Sequence, residues 1–120
     1  MGARKLAAAL AIAISGASAS DALLLKDFDA LDDTAASEYV ANVLSRIFDY
    51  YNAKSERRHR AQCMADFYES TDAYGKSRLI DAVTLEMQLV RNKEMLDVKV
   101  EDIVYGVIEH ECNPERGGGT

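Results

Sequence analysis

Four side chains of this 120-residue chain are of types that do chemistry: His59, Cys63, His110 and Cys112. Hydrolysis of the Ser-His-Asp or Cys-His kind needs an imidazole base beside a nucleophile and a third group that orients the base. Neither histidine stands in such a motif. His59 belongs to the cationic run of Lys54, Arg57, Arg58 and Arg60, and His110 is flanked by Glu109 and Glu111. The 20 carboxylates are too numerous to single out an acid-base pair. The chain is therefore read as non-enzymatic, with no cofactor.

The same residues permit a metal reading. His59 and Cys63 are one helical turn apart, and His110 and Cys112 lie together near the far end, so a Cys₂His₂ zinc site is stereochemically conceivable. It competes directly with a disulfide between the two cysteines. A calcium loop fails on its own spacing: Asp27, Asp29 and Glu38 match loop positions one, three and twelve, but Leu31 occupies the fifth, and Asp32 stands where the turn needs glycine. No metal is expected.

The choice between zinc and a disulfide turns on compartment. Arg4 and Lys5 precede an unbroken apolar run over residues 6–14, and Ala17-Ser18-Ala19 supplies the small residues of a cleavage site. Residues 1–19 read as an export signal. As a helix the apolar run rises only about 14 Å against a hydrocarbon core of about 30 Å, so no membrane span is expected after cleavage. The remaining chain of about 100 residues is expected to be periplasmic or secreted, where paired thiols close. A Cys63–Cys112 bridge encloses about 50 residues and stabilises by about 4 kcal/mol in the chain-entropy model. Without a C-x-x-C spacing, the bridge reads as a staple and not as a redox centre.

Charge narrows the partners. The net charge is -6, and the signal removes two cations and no anion, leaving a still more acidic protein. Binding to nucleic acid needs clustered positive charge, so DNA and RNA are excluded as partners. Hydrophobic residues at 48% and charged residues at 28% suit one folded domain.

These side chains must be held by helices, because breakers are nearly missing: one proline in the chain, and neither glycine nor proline from residue 17 to 74. After an acidic lead-in over residues 20–33, Ala36, Val40, Val43, Leu44, Ile47, Phe48 and Tyr51 recur at helical spacing. Their helix begins near Asp33 or Thr34 and runs to about 52. A second helix is predicted from about Ser55 to Ala73, with Cys63, Met64, Phe67 and Tyr68 inward, stopped by Gly75. A third covers about 76–96 and carries two apolar stripes: Leu79, Ile80, Val83, Met87 and Val90 on one side, Ala82, Leu85, Leu89 and Leu96 on another. A turn at 97–100 leads to a fourth helix with Val100, Ile103, Val104, Val107 and Ile108 inward, ended by Cys112. Residues 113–120 form a flexible tail. The expected fold is all-α, a small bundle of about four helices over residues 34–112, stapled by one disulfide.

The second stripe has two explanations: contact with a neighbouring helix of the same chain, or contact with a second subunit or a client protein. The cationic run likewise reads either as a solvated turn or as a docking patch for an acidic surface. The candidate partner-binding residues are Leu85, Leu89 and Leu96 with Arg57, Arg58 and Arg60. Other proteins are the expected partners, with a homodimer among them.

The order of these features resembles the HdeA/HdeB family of periplasmic acid-stress chaperones. The residues that carry the resemblance are Cys63, the aromatic Phe67 after it, and Val107-Ile108-Glu109 leading to Cys112 with Pro114 beyond, within residues 60–115. It implies an ATP-independent holdase that binds unfolding clients when the periplasm acidifies. Protonating the 20 carboxylates and charging both histidines turns the net charge strongly positive, which would loosen helix contacts or a dimer and expose the second stripe. The same plan is similar to the small periplasmic immunity proteins of the Tai/Rap type, whose additional cysteines this chain lacks. That resemblance implies one tightly bound effector toxin. A third expectation is a secreted structural or interaction protein of neither family.

Overall fold

Asp32 ends the acidic stretch in extended backbone and accepts the Ala35 N–H at 2.8 Å, satisfying one of the free donors at a helix start. The helix it caps is Asp33–Asn52, in a computed structural model that describes residues 22–113. The export signal assigned to residues 1–19, and the tail beyond residue 113, lie outside the described residues. In chain order the helices are α1 (Leu25–Phe28), α2 (Asp33–Asn52), α3 (Arg58–Glu69), α4 (Arg78–Asn92) and α5 (Val100–Cys112), with a 3₁₀ turn at Ser55–Arg57 before α3. The fold is all-α, as expected: four helices of several turns, plus the single turn α1.

Two helices are shorter than their periodicity predicts, and both ends have local causes. α3 stops at Glu69 instead of near Ala73. Beyond it the Asp72 carboxylate accepts the N–H groups of Tyr74 at 2.7 Å and Lys76 at 3.0 Å, and Arg78 N–H donates to the Ser70 carbonyl at 2.8 Å. A short aspartate side chain that satisfies backbone donors offers the chain an alternative to another helical turn. Gly75, at φ 81°, closes this loop. Ser77 then accepts from Ile80 N–H at 3.3 Å and caps α4.

α4 stops at Asn92, four residues before the expected end at Leu96. Glu94 adopts φ 60° and donates its N–H to the Arg91 carbonyl at 2.8 Å, while Met95 N–H donates to the Val90 carbonyl at 3.2 Å. This pair of bonds is a Schellman ending, with glutamate in the left-handed position that glycine usually fills. No glycine or proline announces it.

The helices α2, α3, α4 and α5 pack on one another around a core that includes Val43, Ile47 and Tyr51 from α2, Met64 from α3, Leu79, Val83 and Met87 from α4, and Ile103, Val104 and Ile108 from α5. Each fully buried aliphatic contributes about 1.5–3 kcal/mol relative to exposure. The first stripe of α4 thus faces the core, with Ile80 at its edge. Cys63 of α3 and Cys112 of α5 are joined in a disulfide with Cα atoms 5.8 Å apart, fastening the middle of α3 to the end of α5.

The acidic lead-in contributes to the fold. Leu25 is fully buried and Phe28 nearly so. The backbone around them crosses the α4–α5 connection, with Leu25 N–H donating to Val98 at 2.8 Å, Lys26 N–H to Leu96 at 3.1 Å and Val100 N–H to Leu23 at 2.9 Å. Leu23 N–H also donates to the Tyr39 hydroxyl at 2.8 Å, and Arg91 holds Asp29 with an N–O separation of 2.6 Å.

Candidate functional site

The leucines of the second stripe stay exposed, while its Ala82 packs against the core. Leu85 is 61% exposed, Leu89 43%, Met95 50% and Leu96 40%. Leu85 and Leu89 are spaced i and i+4 and share one helix face. Leu96 lies past the end of α4, in the segment that the Schellman ending turns toward α5, and its carbonyl accepts from Lys26. Of the two explanations for the stripe, contact within the chain accounts for Ala82 and leaves Leu85, Leu89 and Leu96 substantially exposed. Sequence reasoning missed Met95, because it treated residues 93–96 as one more helical turn.

Beside this face, α4 and α5 border a groove of about 600 Å³. Leu85, Val90, Met95, Val98 and Ile103 give it apolar walls. Ala82 and Gly106 are its smallest lining residues. A Cβ added at Gly106 would meet nothing within 4 Å, so the groove is open above this point of α5. Glu86, Asp102 and Glu111 supply negative charge around it, against Lys93 alone among lysines and arginines. None of these three acids forms an ion pair with a lysine or arginine among the described residues. His110 also lines the groove, while His59 is exposed on the first turn of α3. The one hint in the sequence was Gly106, a helix-weakening residue inside an otherwise uninterrupted helical pattern.

The cationic run sits at the α2–α3 junction, and its guanidinium groups make contacts within the chain. Arg57 lies 4.1 Å over the Tyr50 ring and donates to the Tyr50 carbonyl at 3.0 and 3.3 Å. Arg58 donates to the Asn52 carbonyl at 3.3 Å. These bonds take up carbonyls at the C-terminal end of α2, where the helix dipole favours cations. Arg60 reaches Glu109 on α5 at 3.5 Å, and its buried Nε has no hydrogen-bond partner. The other Glu109 oxygen accepts from the hydroxyl of Tyr51, so that one carboxylate joins α2, α3 and α5. Burial, and then the hydrogen bond to Glu109, push the Tyr51 phenol far above its ordinary pKa.

A second charged cluster, Asp72 with Asp81, ties the α3–α4 loop to α4. The hydrogen bond between the two carboxyls holds Asp72 below the usual aspartate value and raises Asp81 above it, as expected for two carboxyls that share a proton. Both are on the surface and neither borders the α4–α5 groove.

Of the two readings of the cysteines, the disulfide is the one formed, and both sulfurs are taken up in it. No cluster of three or more His, Cys, Asp or Glu among the described residues is placed to hold a metal ion. No helix among them is long and apolar enough to cross a membrane. Comparison with protein-family models, with curated proteins and with solved structures finds no match to this chain.

Proposed function

We propose that this chain is an exported, non-enzymatic protein-binding protein, and that it docks its partner on the outer face of α4 and the α4–α5 connection. The observation that carries this reading is the exposed apolar set of Leu85, Leu89, Met95 and Leu96 on a covalently stapled scaffold. Exposed apolar side chains gathered on one face favour association, and a disulfide suits an oxidising compartment such as the periplasm.

Two forms of the role are open to test. In the acid-stress holdase implied by the HdeA/HdeB resemblance, protonation of the carboxylates loosens the bundle and many clients bind. In the other, one folded partner binds at neutral pH, as the resemblance to immunity proteins implies. A specific observation favours the second: the apolar face is already open in the folded protein and needs no unfolding to expose it.

The test is a pull-down with tagged mature protein from periplasmic extract at neutral pH and at about pH 3, beside a Leu85→Asp/Leu89→Asp variant. Both positions are exposed, so the variant folds. The favoured form predicts a defined partner at neutral pH that the variant fails to capture. Many partners at acid pH only, with suppressed light scattering from aggregating clients, supports the holdase. Equal capture by both proteins rejects this docking face.

A further inference from the structure

From the groove beside that face, and resting on the protein-binding reading, we infer the chemistry of the partner: it presents a cationic amphipathic helix, seated between α4 and α5. Leu85, Val90, Met95 and Val98 supply the apolar contact. Glu86 on α4, with Asp102 and Glu111 on α5, places carboxylates around the groove, opposed by Lys93. An apolar strip bordered by acids fits a helix with leucine-like residues on one face and Lys or Arg beside them. The 15 residues of α4 and 13 of α5 run about 20 Å each, the length of a partner helix of about 14 residues.

Charge also argues against the competing occupant, a second copy of this chain. Two copies meeting groove to groove would bring the acids of each against those of the other. A second copy would need to offer its cationic run instead. Arg57, Arg58 and Arg60 already contact Tyr50, Asn52 and Glu109 of their own chain.

Gly106 gives a selective probe. A Cβ at this position meets nothing within 4 Å, the position borders the open groove, and leucine is a better helix former than glycine, so Gly106→Leu projects into the groove and leaves net charge and the helix intact. The experiment titrates mature protein with a fluorescent 14-residue peptide of leucine and lysine, leucines at i, i+3, i+4 and i+7 spacing. A scrambled peptide of the same composition and a leucine-glutamate peptide serve as comparisons.

The Leu/Lys helix is expected to bind at least about tenfold more tightly than either comparison peptide, and to weaken as salt is added. Gly106→Leu, and separately Glu86→Lys/Asp102→Lys, should each weaken it by about tenfold or more. Equal binding of the scrambled peptide, or of the Gly106→Leu variant, overturns the inference by reducing the effect to general charge attraction. A dimer that Gly106→Leu dissociates in sedimentation overturns it in favour of the second copy. If the peptide fails while capture from extract still depends on Leu85 and Leu89, the cationic helix is wrong and the protein-binding role survives.

Discussion

The hydroxyl of Tyr51, a fully buried residue of α2, donates to the carboxylate of Glu109 on α5, and the same carboxylate faces Arg60 of α3. Because burial and this bond hold the phenol's pKa above its ordinary value of 10.0, the folded state keeps a proton that the unfolded chain releases above that pH. Stability is fully present below about pH 10 and falls as pH rises beyond it. Tyr51→Phe is expected to cost about 1–2 kcal/mol at neutral pH through the lost bond to a charged acceptor. It should also flatten the alkaline slope. Urea melts from pH 7 to 11 check both; an unchanged slope removes Tyr51 as its source.

Reduction of Cys63–Cys112 frees a loop spanning 49 positions, and should cost about 4 kcal/mol. Denaturant midpoints with and without reductant, beside a Cys63→Ala/Cys112→Ala variant, measure it. A loss under about 1 kcal/mol would mean that the unfolded chain is already held compact.

Among the described residues two, Glu94 and Gly75, occupy left-handed backbone, and opposite substitutions there should have opposite signs. Glu94→Gly relieves the Schellman position and is expected to stabilise by about 1 kcal/mol. Gly75→Ala puts a Cβ into the same kind of conformation, and should destabilise by about 1 kcal/mol although there is space for it. Thermal melts of the two variants decide it.

Asp81 holds its proton to a higher pH in the folded protein than the ordinary aspartate value of 3.8, because of its hydrogen bond with Asp72. As pH falls from neutral through the raised Asp81 value, the folded state takes up a proton first and gains stability. Asp72 works the other way: its lowered value makes stability fall once pH drops below the unfolded value and through the folded one. Tm measured from about pH 3 to 7 should therefore rise and then fall on acidification, with the rise missing in Asp81→Asn. If Asp81→Asn keeps the rise, the pair is not its origin.

Helical periodicity was enough to identify the core faces of α2, α4 and α5, since Val43, Ile47 and Tyr51, then Leu79, Val83, Met87 and Val90, then Val100, Ile103, Val104, Val107 and Ile108 recur at helical spacing and are all buried. It failed where side chains or backbone conformation end a helix without a breaker. The turn at Glu94 has no glycine, and the exit at Ser70 depends on Asp72 bonding forward to Tyr74 and Lys76. Leu25 and Phe28 were hidden for another reason: a single helical turn has no period to read, and its burial depends on Val98, more than 70 residues later. For the candidate site, the stripe of Leu85, Leu89 and Leu96 was legible. Its acidic border was not, because Glu86, Asp102 and Glu111 come together only when α4 and α5 lie side by side.

The crossing of residues 23–26 over the α4–α5 connection also bears on the order of events during synthesis. Leu25 cannot reach Val98 until the chain has been made past α4, and Cys63 waits for Cys112 at the end of α5. Both ties close large loops, whose entropic cost comes before their contacts reward it. The native topology is therefore reached only after α5 has emerged. On the export reading proposed above, this late closure would keep the nascent polypeptide threadable until translocation is complete.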